Sequence, residues 1–149
     1  MIRIIIITVL LSLAACTSKM AIPAPEEASL IKVSNPYILE LPPVSKNSAA
    51  YMELLNKGNR DVSLIAVSSP ASASASFHDH IHKNGLMMME KLDKVAINSG
   101  ESLNFKVGSL HIMLAGLKES LYKGDIVPLT FTFSDSSTLT INIPVRKRQ

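Results

Sequence analysis

Two neighbouring stretches alternate apolar and polar residues without a break: Thr130-Phe131-Thr132-Phe133 and Thr138-Leu139-Thr140-Ile141-Asn142-Ile143. A period of two puts one set of side chains on one face of a pleated strand and the other set on the opposite face. Ser134-Asp135-Ser136 between them supplies turn chemistry. The same texture recurs upstream, giving strand-like segments at Ala49–Leu55, Val62–Ser68, Ser76–Lys83, Leu86–Leu92, Ser102–Val107, Leu110–Leu114, Ile126–Phe133 and Thr138–Val145. Lys57-Gly58-Asn59, Asn84-Gly85, Asn98-Ser99-Gly100 and Lys123-Gly124-Asp125 punctuate them. Many short strands with little helical periodicity indicate an all-β fold, and a β-sandwich is the expected architecture. Leu114–Leu121 offers one or two helical turns, and Ala71–Ser76 reads equally as a loop or a smooth edge strand.

The first residues bear on compartment. Arg3 precedes an apolar run, Ile4 to Leu13, interrupted only by Thr8 and Ser12. That run is about half the ~20 residues a membrane-spanning helix requires. With small residues behind it, it reads as a secretory signal over residues 1–15. Leu13-Ala14-Ala15-Cys16 resembles the lipobox of bacterial lipoproteins, which implies that Cys16 is lipidated and anchors the chain to a membrane facing the periplasm. Cys16 is the one cysteine in the chain, and lipidation accounts for an unpaired thiol in an exported protein. Thr17, in place of an aspartate, favours the outer membrane where there are two. Residues 16–29, with Pro23, Pro25, Glu26 and Glu27, read as a flexible linker, and residues 30–149 as the folded domain.

The chain carries a net charge of +3. One basic residue falls in the signal, leaving 14 basic against 12 acidic residues. A charge that mild and scattered gives no nucleic-acid footprint, and Arg146-Lys147-Arg148 reads as a solvated tail.

The chemistry concentrates in Phe77-His78-Asp79-His80-Ile81-His82. In a strand all three histidines share one face. Asn84-Gly85 then signals a two-residue hairpin turn. With Lys83 opposite Leu86, His82 faces Met87, His80 faces Met89, and His78 lies diagonal to Met89. His111-Ile112-Met113 places a second imidazole–thioether pair on one strand face, roughly 7 Å apart. Thioethers are poor ligands for hard ions, and Met with His suits Cu(I). In an oxidising compartment thioethers also avoid the disulfide chemistry open to thiols. Methionine is ordinarily core filler, but all four histidines here lie near methionines. A zinc-dependent hydrolase is a less favoured reading, because Asp79 and Glu90 alternate onto the face opposite the histidines. A blue-copper electron carrier needs a cysteine ligand, and Cys16 sits at the far end of the linker. A lipoprotein with a purely structural role is a third reading.

His78, ten residues, Met89, twenty-one residues, then His111-Ile112-Met113 resembles the H-x10-M-x21-H-x-M signature of the periplasmic PCuAC copper chaperones. Ala49-Ala50-Tyr51, Ser69-Pro70, Gly108-Ser109-Leu110 and Lys123-Gly124-Asp125-Ile126-Val127-Pro128-Leu129 are similar as well, so the likeness runs from about Ser48 to Val145. It implies a cupredoxin-like or immunoglobulin-like β-sandwich that binds Cu(I) without catalysis. The implied recipient is the CuA centre of cytochrome c oxidase or a Sco-type assembly factor; copper buffering or tolerance is the alternative role. Carried over by position, the ligands are His78, Met89, His111 and Met113, with His80 as substitute for His78. His80, His82 and Met87 are candidates for a secondary site.

Overall fold

A computed structural model describes residues 26–83 and 85–147. The signal segment, Cys16 and Asn84 lie outside the described residues. Among the described residues, ten strands follow a single 3-10 turn, Glu27–Leu30: β1 (Ile31–Leu39), β2 (Asn47–Asn56), β3 (Val62–Ser68), β4 (Ser72–Lys83), β5 (Leu86–Leu92), β6 (Val95–Ile97), β7 (Ser102–Phe105), β8 (His111–Leu117), β9 (Ile126–Phe133) and β10 (Thr138–Arg146). They form the expected all-β architecture, an open β-sandwich. The order β5-β4-β8-β2-β1 builds one layer, with β7 also paired to β2, and β10-β9-β3-β6 builds the other. A short parallel pairing, Ile38 with Val145 and Leu39 with Arg146, joins β1 to β10.

Alternation drives burial. In β9 every second residue is buried, ending in Phe131 and Phe133 with no exposed surface. These meet Leu54, Leu64, Phe77, Ile112, Leu114 and Ile143 in one core between the layers. Apolar burial at roughly 25 cal/mol per Å2 is the main stabilising term in such a core.

β3, β5 and β9 have the bounds read from the sequence. Of Ala71–Ser76, all but Ala71 resolves into strand, because Ser72, Ser74 and Ser76 pair with Leu117, Ala115 and Met113 of β8. The helical option at Leu114–Leu121 is not taken: pairing with β2 and β4 keeps residues as far as Leu117 extended. β1 carries no clean alternation signal, since Asn35-Pro36 interrupts it. Asn35 adopts a φ of 50°, and the register with β2 shifts between Ser34 and Tyr37. This bulge absorbs the break and lets the strand resume. β6, three residues long, is too short to show a period.

The fold also starts earlier than residue 30, inside the segment read as linker. Glu27 is buried, and its carboxylate accepts hydrogen bonds from Ser134 N (3.1 Å), Ser134 Oγ (2.8 Å) and Ser63 N (3.3 Å). Its own N–H donates to Asp135 Oδ2 at 2.7 Å.

Candidate metal centre

Strand register builds the site. β4 and β5 pair as His82 with Met87, His80 with Met89 and His78 with Lys91. On its other edge β4 sets His78 beside His111 and Ser76 beside Met113. Directly paired residues share a face, so all four histidines and Met87, Met89 and Met113 lie on the outer face of one layer. Phe77 and Ile112, alternate with them, point into the core and stand fully buried. Phe77 stacks on Phe105 with centroids 6.2 Å apart, fixing the strand beneath the histidines. Gly85, with φ +77°, makes the turn that brings β5 back along β4.

A cleft of about 270 Å3 opens on this face, and His80, Met89, His111 and Met113 all line it. Ala49, paired with Met113, contributes a small side chain to the lining, and Val107 stands at the rim. The segment between β7 and β8 turns sharply at Gly108, φ +78°, and Lys106 N donates to Leu110 O at 2.8 Å. That turn presents the Ser109 carbonyl to two rings. His111 Nδ1 lies 2.8 Å from Ser109 O, and His80 Nδ1 lies 3.4 Å from the same atom. A carbonyl can only accept, so His111 carries its proton on Nδ1 and leaves the Nε2 lone pair free; the longer contact biases His80 the same way. His111 is 5% exposed, and its ring stacks 5.0 Å from that of His80 and 5.9 Å from that of His78.

His78 stands beside the cleft. Its Nε2 is 2.9 Å from Ser76 Oγ, while its Nδ1 is buried with no protein hydrogen-bond partner. Burial, then the neighbouring His111 and Lys91 charges, push its pKa below the ordinary imidazole value. The ring is therefore neutral at neutral pH, the form that can ligate a metal.

The methionines of β5 are not core filler. Met87 is 61% exposed and Met89 49%, so packing does not account for their presence. Among the described residues, no three His, Cys, Asp or Glu side chains form a group that could hold a metal. Asp79 and Glu90 pair with each other on the face away from the histidines. The donors in the cleft are two imidazoles and two thioethers, a soft, neutral set suited to a cuprous ion. The Ser109 carbonyl and the Ser76 hydroxyl were not among the residues singled out from sequence. Gly108, which makes the turn that aims that carbonyl, was the available signal.

The comparisons with known proteins agree with this architecture. The family described as "Putative lipoprotein LpqE-like" matches residues 31–145. The chain is 34% identical over 100 residues to "Putative lipoprotein Lxx21020" of Leifsonia xyli subsp. xyli, and 36% identical over 100 residues to "Uncharacterized protein RP573" of Rickettsia prowazekii. Each alignment covers 66% of this chain, but only 60% and 55% of the two relatives. The copper-bound PCuAC domain from PmoF2 superposes with a TM-score of 0.66 at 20% identity, over 80% of this chain and 94% of that domain. The Cu(I)-bound solution structure of DR1885 from Deinococcus radiodurans gives a TM-score of 0.63 at 26% identity, over 91% of this chain and 86% of that one. The family match spans most of the folded part, and the chain belongs to the putative lipoprotein LpqE-like family, built on the β-sandwich of PCuAC domains.

Proposed function

We propose that this protein is a non-catalytic Cu(I) carrier, held at a membrane by a lipid on Cys16, that passes copper to a recipient on the periplasmic side. The observation that carries this reading is the cleft in which His80, Met89, His111 and Met113 meet, with His111 locked in its ligating tautomer. Two neutral imidazoles and two thioethers leave a cuprous ion with one net positive charge, and hold it without the tight grip of thiolates. The copper-bound PCuAC domain and the Cu(I)-bound DR1885 share the fold, and the H-x10-M-x21-H-x-M spacing is present. Both support the same cargo.

The proposed ligands are His78, Met89, His111 and Met113. The buried, partnerless Nδ1 of His78 favours it as the β4 ligand, with the Nε2 proton donated to Ser76 Oγ. His80 takes that place if His78 does not. The CuA centre of cytochrome c oxidase, or a Sco-type factor that assembles it, is the proposed recipient. The name of the family, with the Leu13-Ala14-Ala15-Cys16 motif, supports the lipid anchor.

The test is an anaerobic Cu(I) titration against a competing cuprous chelator. Wild type binds one copper tightly, and X-ray absorption on that complex shows both nitrogen and sulfur scatterers. Met113→Leu and Met89→Leu each weaken affinity by about tenfold or more, as loss of a soft ligand should. His78→Ala and His80→Ala, compared side by side, assign the β4 ligand. Unchanged affinity in both methionine variants would reject the site.

A further inference from the structure

The outer face of the β4–β5 hairpin holds more soft donors than one copper needs. β4 continues five residues beyond His78, the last of its residues to pair with β8. Over that extension it pairs only with β5, and the hairpin carries His80 opposite Met89 and then His82 opposite Met87. Each pair is two residues from the next, a step of roughly 7 Å along the strand. Cβ atoms of directly paired residues lie about 4.5–5.5 Å apart, within reach of one shared small ion.

Exposure falls along the same line. His82 is exposed and Met87 is 61% exposed; His80 is half-buried, and His111 is 5% exposed. The series runs from solvent to the cleft with an imidazole and a thioether at every step. Exposed thioethers on an edge strand have no packing role to explain them, and Leu86 and Lys83 at the turn show that the tip itself is open.

We propose that His82 and Met87 form a second, weaker Cu(I) site at the hairpin tip, through which copper enters and leaves the cleft by way of His80 and Met89. This rests on the cleft being the primary copper site. Transfer is ligand exchange alone. A Cu–N or Cu–S bond to the next donor forms as one to the previous donor breaks, and copper stays cuprous, so no oxidant or reductant is needed. Low-coordinate Cu(I) tolerates the intermediate ligand sets, so no step leaves the ion without a soft donor. Lys91 pairs with His78 at the inner end of the series, while Asp79, Glu90 and Lys83 alternate onto the other face of the hairpin. None of the four competes for a soft cation.

The experiment uses full-length lipidated protein in detergent micelles, with 13C-labelled methionine methyls and Ag(I) as a redox-inert substitute for Cu(I). The first equivalent should shift the Met89 and Met113 methyls, and the second should shift Met87 together with the His82 ring nitrogens. In the double variant His82→Asn, Met87→Leu the second event should vanish while the first is unchanged. Cu(I) release from that variant to a chelator should slow several-fold at wild-type equilibrium affinity. A Met87 methyl unmoved by the second equivalent would overturn the tip site. Wild-type release from the double variant would overturn its role in transfer. Silence of Met89 and Met113 would instead reject the cleft as the primary site, and that result is read on different methyls.

Discussion

Asn56 stands with no exposed surface and every polar atom used. Its Nδ2 donates toward Arg60 O (2.8 Å), Ile97 O (3.1 Å) and Asn98 O (3.3 Å), and its Oδ1 accepts from Gly58 N at 2.9 Å. One amide thus ties the end of β2 to the loop after it and to the end of β6. Asn56→Ala strands several buried backbone groups at once, so unfolding in urea should show a loss of about 3 kcal/mol. A far smaller loss would mean that water replaces the amide. The sequence makes Lys57-Gly58-Asn59 legible as a turn but hides the partners of Asn56 just before it, because carbonyls 41 and 42 residues away have no side-chain signature. The site divides in the same way. The histidines and methionines announce themselves by residue type and spacing, whereas Ser109 acts through its backbone oxygen and Ser76, two residues before His78 on the same strand, carries a side chain too common to stand out.

Among the elements, the β4–β5 hairpin was the most legible. Asn-Gly fixes the turn, the turn fixes the register, and the register fixes which histidine meets which methionine. The sequence stopped short at the neighbouring strand of the sheet: that His78 pairs with His111 depends on β8, an element distant in the chain with no local signal for its partner. β1 went unmarked because a proline and a left-handed asparagine sit inside it, and only pairing with β2 on both sides of the bulge carries the strand across. The exposure of β5 leads to a stability test. Met87→Leu and Met88→Leu should each change unfolding free energy by less than about 0.5 kcal/mol, as substitutions at exposed sites do. Thermal melts of the metal-free protein check this, and a loss of several kcal/mol in either would restore the core-filler reading.

At the scale of the molecule, the 3-10 turn before β1 is clasped by the turn between β9 and β10. Asp135 accepts from Glu27 N at 2.7 Å and from Ser137 N at 2.9 Å and Oγ at 2.6 Å. The Ser137 hydroxyl, then the Glu27 amide, hold its carboxyl below the ordinary value, with a smaller contribution from Arg60. A carboxyl with a depressed folded-state pKa adds stability above its unfolded pKa, and that stability is lost as pH falls through the folded one. The melting temperature should therefore decline on acidification from pH 5 toward 3, less steeply in Asp135→Asn than in wild type. Parallel slopes in the two proteins would remove Asp135 from the acid response.

The clasp joins residues far apart in the chain: Glu27 reaches Ser134, 107 positions away, and Ile38 of β1 lies beside Val145 of β10. Contacts of such separation form late, since the entropy of closing so long a loop is lost before the contact repays it. A chain made from its N-terminus has β1 available from the outset and its final partner only at the end. β2, β4, β5 and β8 can assemble the metal face earlier, but the two layers cannot be latched until β10 arrives. Any machinery that threads this chain N-terminus first across a membrane therefore receives it while it is still open. The fold delays its own completion until β10 has followed, and the face that carries the histidines and methionines is built before the domain around it is closed.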